Sequence, residues 1–72
     1  MQCLVCTGEA KDITPAGFDG IVVRCPNCGD YEVADSALKR FQTASLSERG
    51  VAFRKAKSLQ TAARPTITTT CI

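Results

Sequence analysis

The rhythm of apolar and polar positions changes twice along the chain. Residues 9–20 are polar and turn-rich, with Thr14-Pro15-Ala16-Gly17 and Asp19-Gly20 as turn signals. The β-branched run Ile21-Val22-Val23-Arg24 follows at once and predicts a strand leading into Cys25. Ile13-Thr14 is its candidate partner strand across the 15–20 loop, and the alternating Tyr31-Glu32-Val33 predicts a short third strand. From residue 36 the period becomes helical. Asp35 or Ser36 is placed to cap a helix over 37–42, and Ser45-Leu46-Ser47-Glu48 reads as a capping box opening a second helix. That helix is expected to run to about Ala63. Ala52, Ala56, Leu59 and Ala63 recur on one small-residue face, with Phe53 off its centre, and Pro65 is the stop. The order of elements predicts an α+β domain of two or three short antiparallel strands followed by two helices that pack on them or on each other. Residues 1–34 form the strand-rich part, 35–64 the helical part of the same domain, and 65–72 a flexible tail or short β-like segment.

A chain of 72 residues with three Phe, one Tyr and no Trp has little to build a core from. Ordering each residue costs roughly 1.5 kcal/mol, and domains of this size are usually held by disulfides, a metal or a partner. Five cysteines narrow the choice. A secreted disulfide scaffold would carry an even count behind a signal peptide, whereas Met1-Gln2-Cys3-Leu4-Val5-Cys6 has neither a basic nor an apolar leader region. No apolar run reaches the length of a membrane span. The expectation is a cytoplasmic protein, not membrane-bound, whose thiols stay reduced and free to ligate a metal.

Four of the cysteines, Cys3, Cys6, Cys25 and Cys28, have the spacing C-x2-C-x18-C-x2-C, within the window that reads as a zinc site. Two intervening residues let one tight turn present both sulfurs about 2.3 Å from a shared ion, and two such turns complete a tetrahedron. Four thiolates leave no open position, so the ion, one Zn2+, would be structural; its binding can contribute on the order of 10 kcal/mol to folding. In this respect residues 1–34 resemble the zinc-ribbon class. Cys25-Pro26-Asn27-Cys28-Gly29 matches that class's Cys-Pro-x-Cys-Gly knuckle, with Gly29 free to take positive φ. The first knuckle departs from it: Thr7 stands where glycine is usual, and a β-branched residue is poorly suited to positive φ. The resemblance implies a metal-bearing ribbon in a small bacterial or phage protein, and leaves transcription, translation, RNA processing and protein contacts all open as roles. Rubredoxin-like iron for electron transfer is the rival, since tetrahedral sulfur suits both metals. Rubredoxins, however, package iron in an aromatic core, and here Tyr31 and Phe18 are the aromatics near the knuckles.

Charge divides the chain. Residues 1–35 carry Lys11 and Arg24 against Glu9, Asp12, Asp19, Asp30, Glu32 and Asp35. Residues 36–72 carry Lys39, Arg40, Arg49, Arg54, Lys55, Lys57 and Arg64 against Glu48 alone. Four thiolates around a divalent ion would bring the formal +2 to about zero, so the asymmetry matters more than the total. A basic helical half suits an anionic partner, DNA or RNA, with Arg49, Arg54, Lys55 and Lys57 as phosphate contacts. The alternatives are a solvated helix surface, or a protein partner docked on the Ala52/Ala56/Leu59 face. Phe41 and Phe53 read as core residues ahead of base-stacking ones. With no histidine and no glycine-rich phosphate loop, nothing marks an enzyme. Cys71 lies outside the paired motifs, near a mobile end, and is expected as a free thiol without a role; were it exposed, it could link two chains under oxidation.

Overall fold

The computed structural model describes residues 1–60 and 64–71. Strands β1 (Lys11–Asp12), β2 (Gly20–Cys25) and β3 (Gly29–Ala34) precede helices α1 (Asp35–Thr43) and α2 (Leu46–Ser58), and strand β4 (Thr66–Ile67) follows. The sheet order is β1-β2-β3-β4, antiparallel except for the parallel β3–β4 pair. The molecule is thus a small α+β unit of four strands and two helices. Among the described residues no helix is long and apolar enough to cross a membrane.

Register decides what each sheet face does. Ile21, Val23 and Cys25 of β2 lie opposite Val33, Tyr31 and Gly29 of β3, and alternation puts all of them on one face. That face is the core side: Val23, Tyr31 and Val33 are fully buried there with Ala37 and Phe41 of α1 and Ala52, Phe53 and Ala56 of α2. The opposite face pairs Val22 with Glu32 and Arg24 with Asp30, the latter through two guanidinium–carboxylate hydrogen bonds of 3.0 and 3.1 Å. Val22 is nevertheless buried, its N–H donating to the Thr14 hydroxyl at 2.9 Å.

Several local expectations need correction. The partner strand of β2 is Lys11–Asp12 with Ile13 extending the pairing by one bond to the Val22 carbonyl, not Ile13-Thr14. The Asp12 carboxylate accepts the Thr14 N–H and pairs with its hydroxyl, which turns the chain out of the sheet at that point. Helix α1 begins directly at Asp35, with Ala34 at the cap position and no side-chain cap; Asp35 instead places its charge in the first turn. The Ser45–Glu48 capping box is present in α2 as read. Regular helix ends at Ser58, so Leu59 falls at the C-cap and is 65% exposed, while Ala52 and Ala56 are covered by the chain's own core. The docking face drawn through those three residues is therefore not a free surface. Ala63 lies outside the described residues.

The segment expected as a flexible tail or a short β-like stretch carries β4, in line with the second alternative. Ile67 sits opposite Val33 on the core face and is fully buried; Thr66 sits opposite Glu32 on the other. Glu32 gathers the return: its N–H donates to the Pro65 carbonyl at 3.0 Å, and its carboxylate accepts from Arg64 at 2.7 Å and Thr66 at 2.8 Å. Cys71 is a free thiol, as expected, but only 4% exposed, so it is buried and not open to linking two chains. Ile67 and Cys71 thereby join the core cluster with Ala52, Phe53 and Ala56 of α2.

Candidate metal centre

Both cysteine pairs lie at the ends of tight antiparallel turns. In the first, the Gln2–Glu9 bridge and paired Met1–Ala10 backbone bonds close a loop in which Cys3 N–H donates to the Gly8 carbonyl at 2.7 Å. Thr7 N–H then donates to the Cys3 carbonyl at 3.1 Å, and Thr7 takes φ 64°. The threonine thus adopts the left-handed conformation that glycine would adopt without strain. In the second, the turn between β2 and β3 is itself the knuckle: Cys25 pairs with Gly29 across Pro26-Asn27-Cys28, and Gly29 takes φ 83°. The β2–β3 hairpin and the N-terminal loop therefore present two similar turns to each other.

The four Sγ atoms of Cys3, Cys6, Cys25 and Cys28 all lie within 4.8 Å of one another. Cys3 is 3.9 Å from Cys28, and Cys6 is 3.4 Å from Cys25. Metal–sulfur bonds of about 2.3 Å in a regular tetrahedron require sulfur–sulfur edges of about 3.8 Å. The donor set and its spacing fit a four-thiolate ion. Cys3 and Cys25 are buried to within a few per cent; Cys6 and Cys28 are half-buried. The fifth cysteine, Cys71, is outside the cluster.

The thiols are not equivalent. Burial pushes the Cys3 thiol up, but hydrogen bonds from the Cys6 backbone, the Tyr31 hydroxyl and the Val5 N–H more than offset it and bring it down to about 6. Burial, then the neighbouring Cys6 and Cys3 sulfurs, pushes Cys28 up. Four bare sulfurs this close cannot all ionise; a cation in their midst removes the conflict. Tyr31, fully buried, stands behind the first knuckle with its hydroxyl 3.5 Å from Cys3 Sγ and 3.2 Å from Leu4 N. Burial and its contact with Cys3 push the phenol above its ordinary range.

The basic residues separate into two groups. Arg49 turns inward from α2, and its guanidinium donates to the Leu4 carbonyl at 3.1 Å in the first knuckle. It belongs to the support of the cysteine cluster and does not share a solvent face with the others. Arg54, Lys55 and Lys57 are exposed on α2. Lys57 Nζ lies 5.5 Å from the centre of the Phe53 ring, while Arg40 and Lys55 line one groove of about 320 Å³ between the helices. Sequence reading did not assign Tyr31 or Arg49 to the metal centre. Tyr31 had a signal: it follows Cys25 at even spacing across the hairpin turn and so shares its face. Arg49 had none, because its partner is a main-chain carbonyl 45 residues away. Comparison of the chain with protein-family models, with curated proteins and with solved structures gave no match.

Proposed function

We propose that the chain is a small structural-zinc module whose helices hold a nucleic-acid backbone. The metal half of this reading is carried by the closed group of four sulfurs, which offers no open coordination position for catalysis. Zinc is favoured over iron because, among the described residues, Tyr31 is the aromatic side chain hydrogen-bonded to a ligand sulfur. The resemblance of Cys25-Pro26-Asn27-Cys28-Gly29 to a zinc-ribbon knuckle points the same way.

The nucleic-acid half is carried by the placement of cations. Among the described residues Arg24 and Arg64 are paired with Asp30 and Glu32, whereas Lys39, Arg40, Arg54 and Lys55 make no ion pair and project from the two helices into solvent. A phosphate backbone is recognised by such exposed, unpaired cations, with counterion release as the driving term. Arg40 and Lys55 line the interhelical groove together with Glu48 and are its two cations.

Two measurements test the reading. Native mass spectrometry should show the polypeptide plus one zinc, and a colourless protein; a visible thiolate–iron absorption would replace zinc with an electron carrier. Retention on single-stranded DNA or RNA should fall with salt by roughly 0.7 log units per log unit for each phosphate contact. Replacing both Arg54 and Lys55 by alanine should flatten that slope by about 1.4 with zinc content unchanged. No retention at low salt would remove the nucleic-acid half. A protein partner would then take its place, seated on exposed Leu46 and Val51 of α2.

A further inference from the structure

We propose that Tyr31 is a positioning residue of the metal centre: held as an acceptor by the Leu4 N–H, its hydroxyl donates to the Cys3 sulfur and fixes that ligand. The inference rests on the metal reading given above. A phenol has a single hydrogen to give. The Leu4 N–H, 3.2 Å away, must donate to the Tyr31 oxygen, so that oxygen is an acceptor there. The phenol proton is left for its other neighbour, Cys3 Sγ at 3.5 Å. A metal-bound thiolate carries no proton and can only accept. The direction N–H to O–H to sulfur is therefore the one that satisfies every atom, and full burial of Tyr31 leaves no solvent to compete.

The assembly is braced from α2. Arg49 holds the Leu4 carbonyl at 3.1 Å while Tyr31 holds the same residue's N–H, so Leu4 is fixed at both ends of its backbone. Phe53, one turn further along α2, meets the Tyr31 ring edge-on with centroids 5.4 Å apart at 72°. Cys3 also accepts the Val5 N–H at 3.4 Å. Hydrogen bonds to a thiolate lower the energy of its lone pairs and hold its direction; outer-shell partners of this kind typically carry 10- to 100-fold in metal affinity.

Cobalt(II) bound to the whole chain gives the test, because its sulfur-to-metal charge-transfer band reports the energy of the thiolate lone pairs. In Tyr31→Phe the band should move to lower energy, cobalt and zinc affinity should fall about tenfold or more, and zinc should pass faster to a competing chelator. Ile67→Val, which loosens the core at β4 but leaves the hydroxyl and its brace, should not move the band. Tyr31 is the chain's single tyrosine, so uniform incorporation of 3-fluorotyrosine alters this site alone. That stronger donor should move the band to higher energy, and it decides the matter even if Tyr31→Phe does not fold. A wild-type protein without any thiolate–cobalt band overturns the metal reading and this one together. A wild-type band that neither Tyr31→Phe nor fluorotyrosine displaces overturns this inference alone.

Discussion

At Thr7 the chain accepts a conformation its side chain opposes. A β-branched residue at φ 64° carries about 1–2 kcal/mol of steric cost, and it does so because Thr7 N–H must reach the Cys3 carbonyl for the knuckle to close. Thr7→Gly should relieve that cost. Glycine's extra unfolded-state entropy takes back about 0.5–1 kcal/mol, leaving a net stabilisation of up to about 1.5 kcal/mol. Thermal unfolding of the metal-loaded protein should accordingly shift up by a few degrees; a lower midpoint would mean that the threonine hydroxyl, bonded to the Cys6 carbonyl, matters more than its backbone strain. Cys71 gives a second test. Buried beside the Thr68 hydroxyl and the Thr66 carbonyl, it should react slowly with alkylating reagents in the folded protein. Cys71→Ser should cost about 1–3 kcal/mol for burying a poorly matched hydroxyl, yet leave one metal bound per chain. Loss of metal would reassign the ligand set.

At the scale of elements, helix α2 is the hinge of the architecture, since one face of it supplies core residues and the Arg49 brace while the other carries cations. Its start is specified locally. Ser45 Oγ accepts the Glu48 N–H at 3.2 Å, and the Glu48 carboxylate accepts the Ser45 N–H and hydroxyl. Ser45→Ala should destabilise the protein by about 1 kcal/mol, read as a lower denaturant midpoint with an unchanged slope. The capping box was legible because it is a pattern of four adjacent residues. The knuckles were legible for the same reason, each being a turn closed within a few residues, and the strands on either side of the second were legible from their β-branched and alternating runs, though not their pairing into a hairpin. What escaped was non-local. Nothing in Thr66-Ile67 announces a parallel pairing with residues 32–33, and nothing in the small-residue period says that the helix stops at Ser58 before Leu59 can join its face. Gly20 belongs between these cases. Its place before the β-branched run marked a turn, but only the tertiary packing shows that a Cβ there would stand 2.1 Å from the Val33 carbonyl oxygen.

For the molecule as a whole, protons and the metal compete for the same sulfurs. The Cys3 thiol, lowered from 9.0 to about 6, favours the folded chain above the ordinary thiol range, and that contribution is lost as pH falls through about 6. The raised Cys28 thiol has the opposite sign without metal: its protonated form suits the folded chain, and the advantage fades as pH rises. Metal binding removes the proton from both, so the loaded protein follows the Cys3 sign throughout. Acidification from pH 8 to pH 5 should therefore release the ion with a steepening dependence on pH, followed with a chromophoric chelator, and unfolding should accompany release. A release that ignores pH in that interval would show that thiolates are not the ligands. Chelation at pH 8 should have the same end point.

The fold-back of β4 has a consequence for solubility. With Thr66 and Ile67 in place, the middle of β3 has neighbours on both sides, and the Glu32 N–H is answered by the Pro65 carbonyl. Remove the chain beyond residue 60 and that flank of β3 becomes an unsatisfied row of main-chain groups beside bare Val33. Such a row recruits another strand, and the nearest source is a second truncated copy. The shortened protein should still take up one metal at low concentration. Light scattering should nevertheless show it self-associating as concentration rises, whereas the full chain stays monodisperse. Two residues of strand thus serve as a gatekeeper against aggregation, quite apart from the stability they add.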